Sequence, residues 1–482
     1  MASSLAAIRY PFELDFGEGV VLGQIKMLMA GQAYRPLGAS PPYVINNYPP
    51  VFHLVTAVAS HLTGNMLATG RGVSVTSTLL ASMIVAVLVW CAAKTESARL
   101  PRALAAVFAG LSFLSISYTA TWGSLMRVDM LAHFFSLAGL LVFATGAARG
   151  RRVYWCALPF LLAVYTKQTA IAAPVACILA ALFMDVALSL KLAALLLGMG
   201  LVSFAGLTWL TSGQFYFHVV TANHNAYDWH RMVFFLGDLE QRYSIEMAIA
   251  AVAAASLLSG VRKANRSLSA SATSWIRPVL GVYLVTAFLV SLTIGKVASE
   301  VNYLIEFMGV VCICVGIALA EGFAGGRLPA ASHSLASSLS AVFLPCLLLI
   351  PMSGLLRRPA IEWVEIPSVQ EQHETAQLLE IIRNADGPVL SQNLTLLFLA
   401  GKPVEFQPCD MAHVAYQGEW DQSGFVARIE GRQYQLVILH FDVARHPDWE
   451  GFTPSMVAAI RGHYVPAQSL AGYWIYKPQP LS

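Results

Sequence analysis

The sequence predicts a mainly α-helical, polytopic membrane domain followed by a small soluble α/β domain. Only 12% of the 482 residues are charged and 57% are hydrophobic. Soluble globular chains carry about 25% charged residues, so this chain lacks much of the usual charge. Apolar segments near the roughly 20 residues that span a bilayer recur as far as residue 355. Together these observations place most of the chain in a membrane.

Apolar runs predict a series of membrane crossings, all of which end before residue 356. Their approximate ranges are 72–93, 103–122, 128–147, 153–166, 169–184, 188–210, 242–260, 278–295, 301–320 and 335–355. Lys167 and Gln168 interrupt the stretch between 153 and 184, which is only just long enough for two short spans. We therefore predict a membrane domain at 1–356 and an α/β domain at 357–482.

The basic residues predict the orientation. Residues 1–356 contain 21 Lys and Arg and 13 Asp and Glu, whereas residues 357–482 contain 9 and 14. Under this assignment one side of the membrane holds Lys94, Arg99, Arg102, Arg149, Arg151, Arg152, Lys191, Arg262, Lys263, Arg266, Arg277 and Arg327. The positive-inside rule makes that side cytoplasmic. The basic excess thus indicates topology and argues against nucleic acid as a partner.

The outer side is then predicted to hold the loops 10–50, 123–128, 211–241 and 296–300 and the whole tail. Only nine residues precede Tyr10 and Pro11, too few for a signal peptide or a crossing. An outer first loop needs a preceding span. We therefore expect a first helix to be missing from this sequence, with a genuine short N-terminus as the alternative.

The tail has the pattern of a separate α/β domain. Ser368 to Glu371 form a capping box after Pro367, and an amphipathic helix follows until Gly387. Short buried strands are predicted at 389–390 and 436–439, a helix at 456–460, and a final strand at 473–476.

The cysteines and histidines predict neither a disulfide framework nor a metal centre. Six of the seven cysteines lie in apolar stretches, and Cys409 stands alone in the tail. His53, His218 and His224 are too scattered for metal-ligand spacing. No cofactor is assigned, and a divalent cation is compatible with the sequence without being required by it.

Charged groups at the rim of a membrane are costly and are therefore candidates for function. Asp15 and Glu18 are three residues apart and would share one helical face. A partly buried carboxylate of this kind can accept a hydroxyl proton. The alternative is that Asp15 only caps an interfacial helix that ends near Gly31.

A second candidate cluster contains Arg127 and Asp129. Asp129 either takes part in the chemistry or caps the helix that begins at Met130. Arg127 is suited to binding a phosphate or to holding Asp129 in place.

A third cluster contains Lys296, Glu300, Asn302, Tyr303 and Glu306. Asn302 and Glu306 lie four residues apart on one helical face. A buried Glu306 without a partner would be costly, so we expect it to meet Lys296, Arg127 or a substrate. A structural ion pair between helices is the alternative.

The fourth cluster is the loop from Thr221 to Asp228, together with His218. Its His224, Asn and Tyr side chains suit contacts with sugar or phosphate, and ordinary loop packing is the alternative. Tyr48, Pro49 and Pro50 mark a rigid break before the apolar stretch at 51–62.

The motifs resemble, in order, those of the C-type superfamily of integral-membrane glycosyltransferases. The similarity is to bacterial relatives of protein O-mannosyltransferases and lipid A aminoarabinose transferases, and it spans residues 10–355 plus the tail. Those relatives have a transmembrane helix before the acidic loop, which this sequence lacks. The matching segments are Asp15 to Gly19, Asn47 to Pro50, Arg127 to Asp129, Thr166 to Thr169, and Asn302 to Glu306.

The resemblance implies a multi-pass enzyme of the cell membrane with a polyprenyl-phosphate sugar donor and a lipid, glycan or protein acceptor. The family's catalytic carboxylate corresponds to Asp15 and its second acidic position to Asp129. The chemistry agrees, because phosphate leaves without a proton and one base suffices, whereas a glycosidase generally needs two carboxyls.

Roles for the remaining candidates follow from this chemistry. Asp15, beside Glu18, would deprotonate the acceptor hydroxyl and invert the anomeric carbon. Cations would neutralise the departing phosphate, and an apolar groove between helices would hold the prenyl chain. The candidate cations are Arg127, Lys167, Lys296 and Arg71, and the candidate substrate contacts are Tyr48, His224, Asn302, Tyr303 and Glu306.

A transporter of a small polar solute or lipid-linked substrate is the main alternative. Transporters place ionisable groups near the midplane, commonly in duplicated halves. Here the acidic residues lie at one rim, and no duplicated halves are evident. A non-catalytic scaffold is a third possibility, which leaves the one-sided charge clusters unexplained.

Overall fold

The computed structural model describes residues 2–93, 99–259, 272–325, 365–446 and 451–480. The helices of the membrane part are α1 (Ala2–Arg9), α2 (Phe16–Met29), α3 (Val51–Thr63), α4 (Met66–Ala92), α5 (Arg99–Ser115), α6 (Ser117–Trp122), α7 (Asp129–Gly146), α8 (Ala157–Val164), α9 (Ala172–Met184), α10 (Val186–Leu210), α11 (Gln214–Val219), α12 (Trp229–Ser259), α13 (Ala272–Ser291) and α14 (Ile305–Gly325).

The predicted polytopic α-helical fold is confirmed. Within the described residues, five segments are long and apolar enough to cross a bilayer: Met66–Ala92, Asp129–Gly146, Val186–Leu210, Trp275–Gly295 and Val301–Gly322. Shorter apolar helices span Val51–Thr63, Arg152–Val164 and Ala172–Met184. The predicted crossing at 335–355 lies outside the described residues.

Helices α4 and α12 are among those that begin earlier than the apolar runs suggested. Helix α4 begins at Met66, where the side chain of Asn65 accepts a hydrogen bond from the Ala68 N–H at 3.0 Å. Helix α12 begins at Trp229 and continues through the segment predicted as loop to a bend at Tyr243, which has non-helical backbone angles. The bend brings the Tyr243 hydroxyl to within 3.2 Å of the Ser117 N–H.

The short crossings on either side of Lys167 are real helices separated by a turn. Helix α8 ends at Val164, α9 starts at Ala172, and the Lys167 N–H closes the turn on the Ala163 carbonyl at 2.9 Å. The interruption in the apolar pattern therefore marks a place where the chain turns within the helical bundle.

The tail forms the predicted α/β domain. Its helices are α15 (Val369–Arg383), α16 (Leu394–Leu399), α17 (Asp410–Tyr416), α18 (Ser423–Glu430) and α19 (Pro454–His463), and its strands are β1 (Val389–Ser391), β2 (Leu436–Leu439), β3 (Tyr464–Leu470) and β4 (Tyr473–Pro478). The sheet order is β1-β2-β4-β3; β1 is parallel to β2, and β4 is antiparallel to both neighbours. The capping box at Ser368 is present.

Strand β3 escaped prediction because its residues from Val465 to Ser469 are exposed, so no apolar alternation marks it. The strand is held by its pairing with β4. Its existence depends on a neighbour in the sheet, which local sequence does not report.

The tail packs directly on the loop that follows α2. Tyr43 and Phe406 form a parallel bridge, and the Ile45 N–H donates to Gln407 Oε1 at 2.9 Å. The Tyr43 ring also contacts Trp420, with the ring centroids 5.1 Å apart. Trp420 is thus part of the apolar core between the tail and the membrane part. The tail therefore covers the loop that follows α2.

Candidate active site

The first acidic loop is fastened to the helical bundle by one buried ion pair. Arg71 donates through Nε to Glu18 Oε1 at 2.8 Å and through Nη2 to Glu18 Oε2 at 2.6 Å. Its remaining donors reach the carbonyls of Ala7, Tyr10 and Phe12 at 2.6–2.7 Å. All five guanidinium donors are therefore used.

Glu18 is equally saturated. Its carboxylate also accepts from the Leu14 N–H at 2.8 Å and from the Met126 N–H at 2.7 Å, and both charged side chains of the pair are 0% exposed. The structure thus places Glu18 and Arg71 together, fully buried, where they hold residues 7–18 against α4.

Asp15 occupies a different environment from Glu18. It is the N-cap of α2, where its Oδ2 accepts a hydrogen bond from the Gly17 N–H at 2.9 Å. Asp15 therefore does cap the helix, as one of the two interpretations of the sequence predicted. The same Oδ2 lies 3.0 Å from Arg127 Nη1. The Asp15 side chain is 35% exposed and Arg127 only 15% exposed. Asp15 therefore combines a fixed position with access from outside.

Glycine at position 17 is needed for this contact. A Cβ on Gly17 would lie 1.1 Å from Arg127 Nη1 and 2.9 Å from Asp15 Oδ2. A side chain there would push Arg127 away from Asp15, so the glycine in the first acidic motif preserves the ion pair.

Asp129 is the first residue of α7 and binds two side chains from distant segments. Its Oδ1 accepts from Lys167 Nζ at 2.6 Å and from Asn302 Nδ2 at 2.7 Å. Oδ2 is buried without a hydrogen-bond partner among the described residues. Lys167 also lies over the Tyr303 ring, with Nζ 4.3 Å from the centroid. Two of the predicted clusters and Lys167 therefore converge here.

Lys167, Asn302 and Tyr303 line a cavity of about 640 Å³, whereas Asp129 itself is not part of its wall. Three cations, Arg127, Lys167 and Lys296, line the cavity and come from three separate parts of the chain. Four of the candidate substrate contacts also line it: Tyr48, His224, Asn302 and Tyr303. Such a concentration of positive charge is suited to an anionic ligand.

The cavity is also lined by apolar side chains. This apolar lining is one wall, formed by α10, by α11 and by Val220 directly after it, through Leu196, Leu197, Leu201, Phe204, Phe215, Val219 and Val220. Leu197 and Leu201 are also 64% and 66% exposed, so the cavity opens at the surface of the helical bundle. A ligand with a charged head and an apolar tail matches this combination.

Several predicted site residues are not part of the cavity wall: Asp15, Glu18, Arg71, Asp129 and Glu306. Asp15 contacts Arg127, which does line the cavity. Glu306 accepts a hydrogen bond from the Tyr283 hydroxyl at 2.8 Å and is also absent from the cavity wall. Glu306 therefore has an interhelical partner, although not one of the cations that the sequence suggested.

Asn47 connects the elements around the cavity. Its carbonyl accepts from Gln168 Nε2 at 3.1 Å and from Asn223 Nδ2 at 3.0 Å. Its side chain accepts from Gln24 Nε2 at 2.9 Å and donates to Asp410 Oδ1 at 3.3 Å. The motif before Pro49 is thus a junction between α2, two loops and the tail.

Sequence reasoning missed Asp410, which lines the cavity from the tail. Nothing near position 410 distinguishes it from other acidic residues of the tail. Burial raises its pKa to about 7, although the hydrogen bond from Gln407 and the charge of Arg127 act in the opposite direction. Burial likewise raises the pKa of Tyr48 to about 12.

In the described ranges, no group of three or more His, Cys, Asp or Glu side chains is arranged to hold a metal ion.

The chain matches no protein-family model and no curated protein. It is similar in structure to ArnT from Cupriavidus metallidurans bound to undecaprenyl phosphate, with a TM-score of 0.60 and 15% identity over 98% of this chain and 96% of that one. The apo structure of the same ArnT gives a TM-score of 0.63 at 14% identity, over 98% and 95% of the two chains.

A third similar structure is the archaeal oligosaccharyltransferase AglB from Archaeoglobus fulgidus, in complex with an inhibitory peptide and a dolichol-phosphate. It aligns with a TM-score of 0.55 and 11% identity over 99% of this chain and 73% of that one. At these identities the likeness concerns the fold. The fold expected from the motifs, that of C-type membrane glycosyltransferases, is therefore confirmed.

Proposed function

We propose that this protein is a membrane glycosyltransferase that moves a sugar from a polyprenyl phosphate to a hydroxyl group. The observation that carries the proposal is one cavity of about 640 Å³ that is lined both by three cations and by the apolar side chains of α10 and α11. ArnT and AglB, which share the fold, were solved with undecaprenyl phosphate and a dolichol-phosphate. A prenyl chain fits the apolar wall and a phosphate fits the cations.

The cations bind the donor phosphate and stabilise it as it leaves. Lys167 pairs with Asp129 at 2.6 Å, and Arg127 pairs with Asp15 at 3.0 Å. Lys296 lies partly exposed at the cavity wall. When the anomeric C–O bond breaks, its electron pair goes to the phosphate oxygen. Preorganised positive charge at that position lowers the barrier.

Asp15 acts as the base in this proposal. Its recorded contacts, with the Gly17 N–H and Arg127, both use Oδ2. The other oxygen, Oδ1, can accept the proton of the acceptor hydroxyl. The acceptor oxygen then attacks the anomeric carbon opposite the phosphate, and the configuration inverts. Arg127 links this base to the cavity.

Asp129 has a positioning role. It holds Lys167 and Asn302 at the cavity through Oδ1, at 2.6 Å and 2.7 Å. Glu18 and Arg71 have a structural role, because their contacts fasten the first loop to α4 and to the segment before α7.

The site is proposed to face outwards from the cell membrane, with the tail outside the cytoplasm. This orientation rests on the positive-inside rule applied to the basic residues that the sequence assigns to the opposite side of the membrane. The acceptor is a lipid, a glycan or a protein that approaches from the Asp15 side.

Mass spectrometry of prenyl-linked sugars and envelope glycans, with and without the gene, tests this function. Loss of one envelope glycosylation together with accumulation of a prenyl-phosphate sugar is the expected result. Substrate-dependent flux in proteoliposomes without any covalent sugar product would contradict the proposal and favour a transporter.

A further inference from the structure

The tail places one carboxyl group in the wall of the cavity. Asp410 begins α17, and its Oδ1 accepts from Asn47 Nδ2 at 3.3 Å while its Oδ2 accepts from Gln407 Nε2. The other described residues that line the cavity belong to the membrane part of the chain. Asp410 is therefore the point at which the tail meets any ligand that the cavity holds.

The backbone around Asp410 is shaped for this position. Cys409, immediately before it, has φ of +61° and ψ of −69°, the rare and strained γ-turn conformation, which the Asp410 N–H closes on the Pro408 carbonyl at 2.8 Å. Strain of this kind persists where surrounding structure enforces it, and it concentrates at functional sites. The Cys409 N–H and the Gln407 side chain hold the segment in place, through the Gly451 carbonyl at 3.3 Å and the Ile45 N–H at 2.9 Å.

The same cavity presents hydrogen-bond acceptors without donors. Gln168 Oε1, Asn225 Oδ1 and Asn302 Oδ1 are buried and have no partner in the described parts of the chain. Asp410 adds a carboxylate with spare lone pairs, since each oxygen accepts only one recorded bond. Buried polar groups nearly always have a hydrogen-bond partner, so these oxygens are candidates for bonds from a ligand that carries donors.

We propose that Asp410, with Gln168 and Asn225, forms a saccharide subsite in which the tail binds sugar hydroxyl groups. The inference rests on the proposed function and deepens it. The cations bind phosphate, the α10 wall binds the prenyl chain, and the acceptor-rich part of the cavity binds hydroxyls. Those hydroxyls belong either to the sugar of the donor or to a sugar of the acceptor, and binding experiments separate the two.

The test measures binding to the purified full chain in detergent. The donor ligands are undecaprenyl phosphate and its conjugates with glucose, mannose and galactose. The acceptor probes are methyl glycosides of the same sugars, added to protein already loaded with undecaprenyl phosphate. The variants are Asp410→Asn and Asp410→Ala. Glu419→Gln, an exposed acid in the loop after α17, is the matched control.

The expected result is a sugar-specific loss. Removing a charged acceptor weakens a hydrogen bond enough to lower affinity about tenfold. In the Asp410 variants this loss applies to a sugar conjugate, if the subsite serves the donor, or to a methyl glycoside, if it serves the acceptor. Bare undecaprenyl phosphate binds all variants equally, and Glu419→Gln resembles the wild type.

Two results would overturn the inference. In one, the wild type binds no sugar conjugate more tightly than the bare lipid and binds no methyl glycoside. In the other, such binding exists but survives both Asp410 substitutions. Failure of the proposed function is a separate outcome, because the wild type would then not bind undecaprenyl phosphate at all.

Discussion

Lys167 Nζ lies 2.6 Å from Asp129 Oδ1, and the two side chains are only 6% and 1% exposed. Lys167 lies in the turn between α8 and α9, and Asp129 is the first residue of α7. Each charge is stabilised by the other, because both side chains are buried and water cannot solvate either charge alone. The pair therefore contributes to the stability of the helical bundle and also fixes the position of a cation in the cavity wall, since Lys167 lines the cavity.

We predict that Lys167→Met lowers the free energy of unfolding by about 3–5 kcal/mol, because it leaves Asp129 buried without its cation. Adding Asp129→Leu should recover part of that loss. Thermal unfolding in detergent of the two single variants and the double variant measures the coupling. Purely additive losses would show that the pair does not stabilise the fold.

Glu18→Gln is predicted to destabilise the protein while sparing the chemistry. It leaves the fully buried Arg71 without its counter-charge, which costs about 3–5 kcal/mol, and it loosens residues 7–18. Melting temperature and transfer per folded molecule are the measurements. An unchanged melting temperature with lost transfer would instead assign Glu18 to the reaction.

Asp15→Asn is predicted to retain the fold and to reduce transfer by about 10²–10⁴-fold, the usual contribution of a general base. Asparagine caps helices as well as aspartate does, so α2 should persist. Asp185→Asn is the matched control: Asp185 also caps a helix, accepting from the Leu188 N–H at 3.0 Å, but it is absent from the cavity wall. Equal activity in both variants would remove Asp15 from catalysis.

Stability should depend on pH through Asp410. Burial raises its pKa from 3.8 to about 7, so the folded chain binds this proton more tightly than the unfolded chain. The stabilisation is complete below the ordinary pKa and is lost as the pH rises through about 7. The melting temperature of Asp410→Asn should therefore fall less between pH 5 and pH 8 than that of the wild type. Parallel pH profiles would contradict this assignment.

Apolar periodicity and capping residues predicted much of the fold. The crossings around α4, α7, α10 and α14 were readable because a bilayer requires long apolar runs with few charges. The tail helix after Ser368 was readable from its capping box. These signals are local, and local sequence reports them directly.

The relations between distant residues were not readable. The sequence suggested Arg71 as a phosphate ligand and did not indicate its contact with Glu18, which is 53 residues away along the chain. Asp410 is 363 residues from Asn47. Such pairs depend on how helices pack and on where the tail docks, neither of which has a local signature.

The most direct test of the central claim is a cryo-EM structure of the protein with undecaprenyl phosphate. The account predicts the phosphate within hydrogen-bond distance of at least two of Arg127, Lys167 and Lys296, with the prenyl chain along Leu197 and Leu201 of α10. A phosphate bound outside this cavity, with the three cations left without contact to it, would contradict the account.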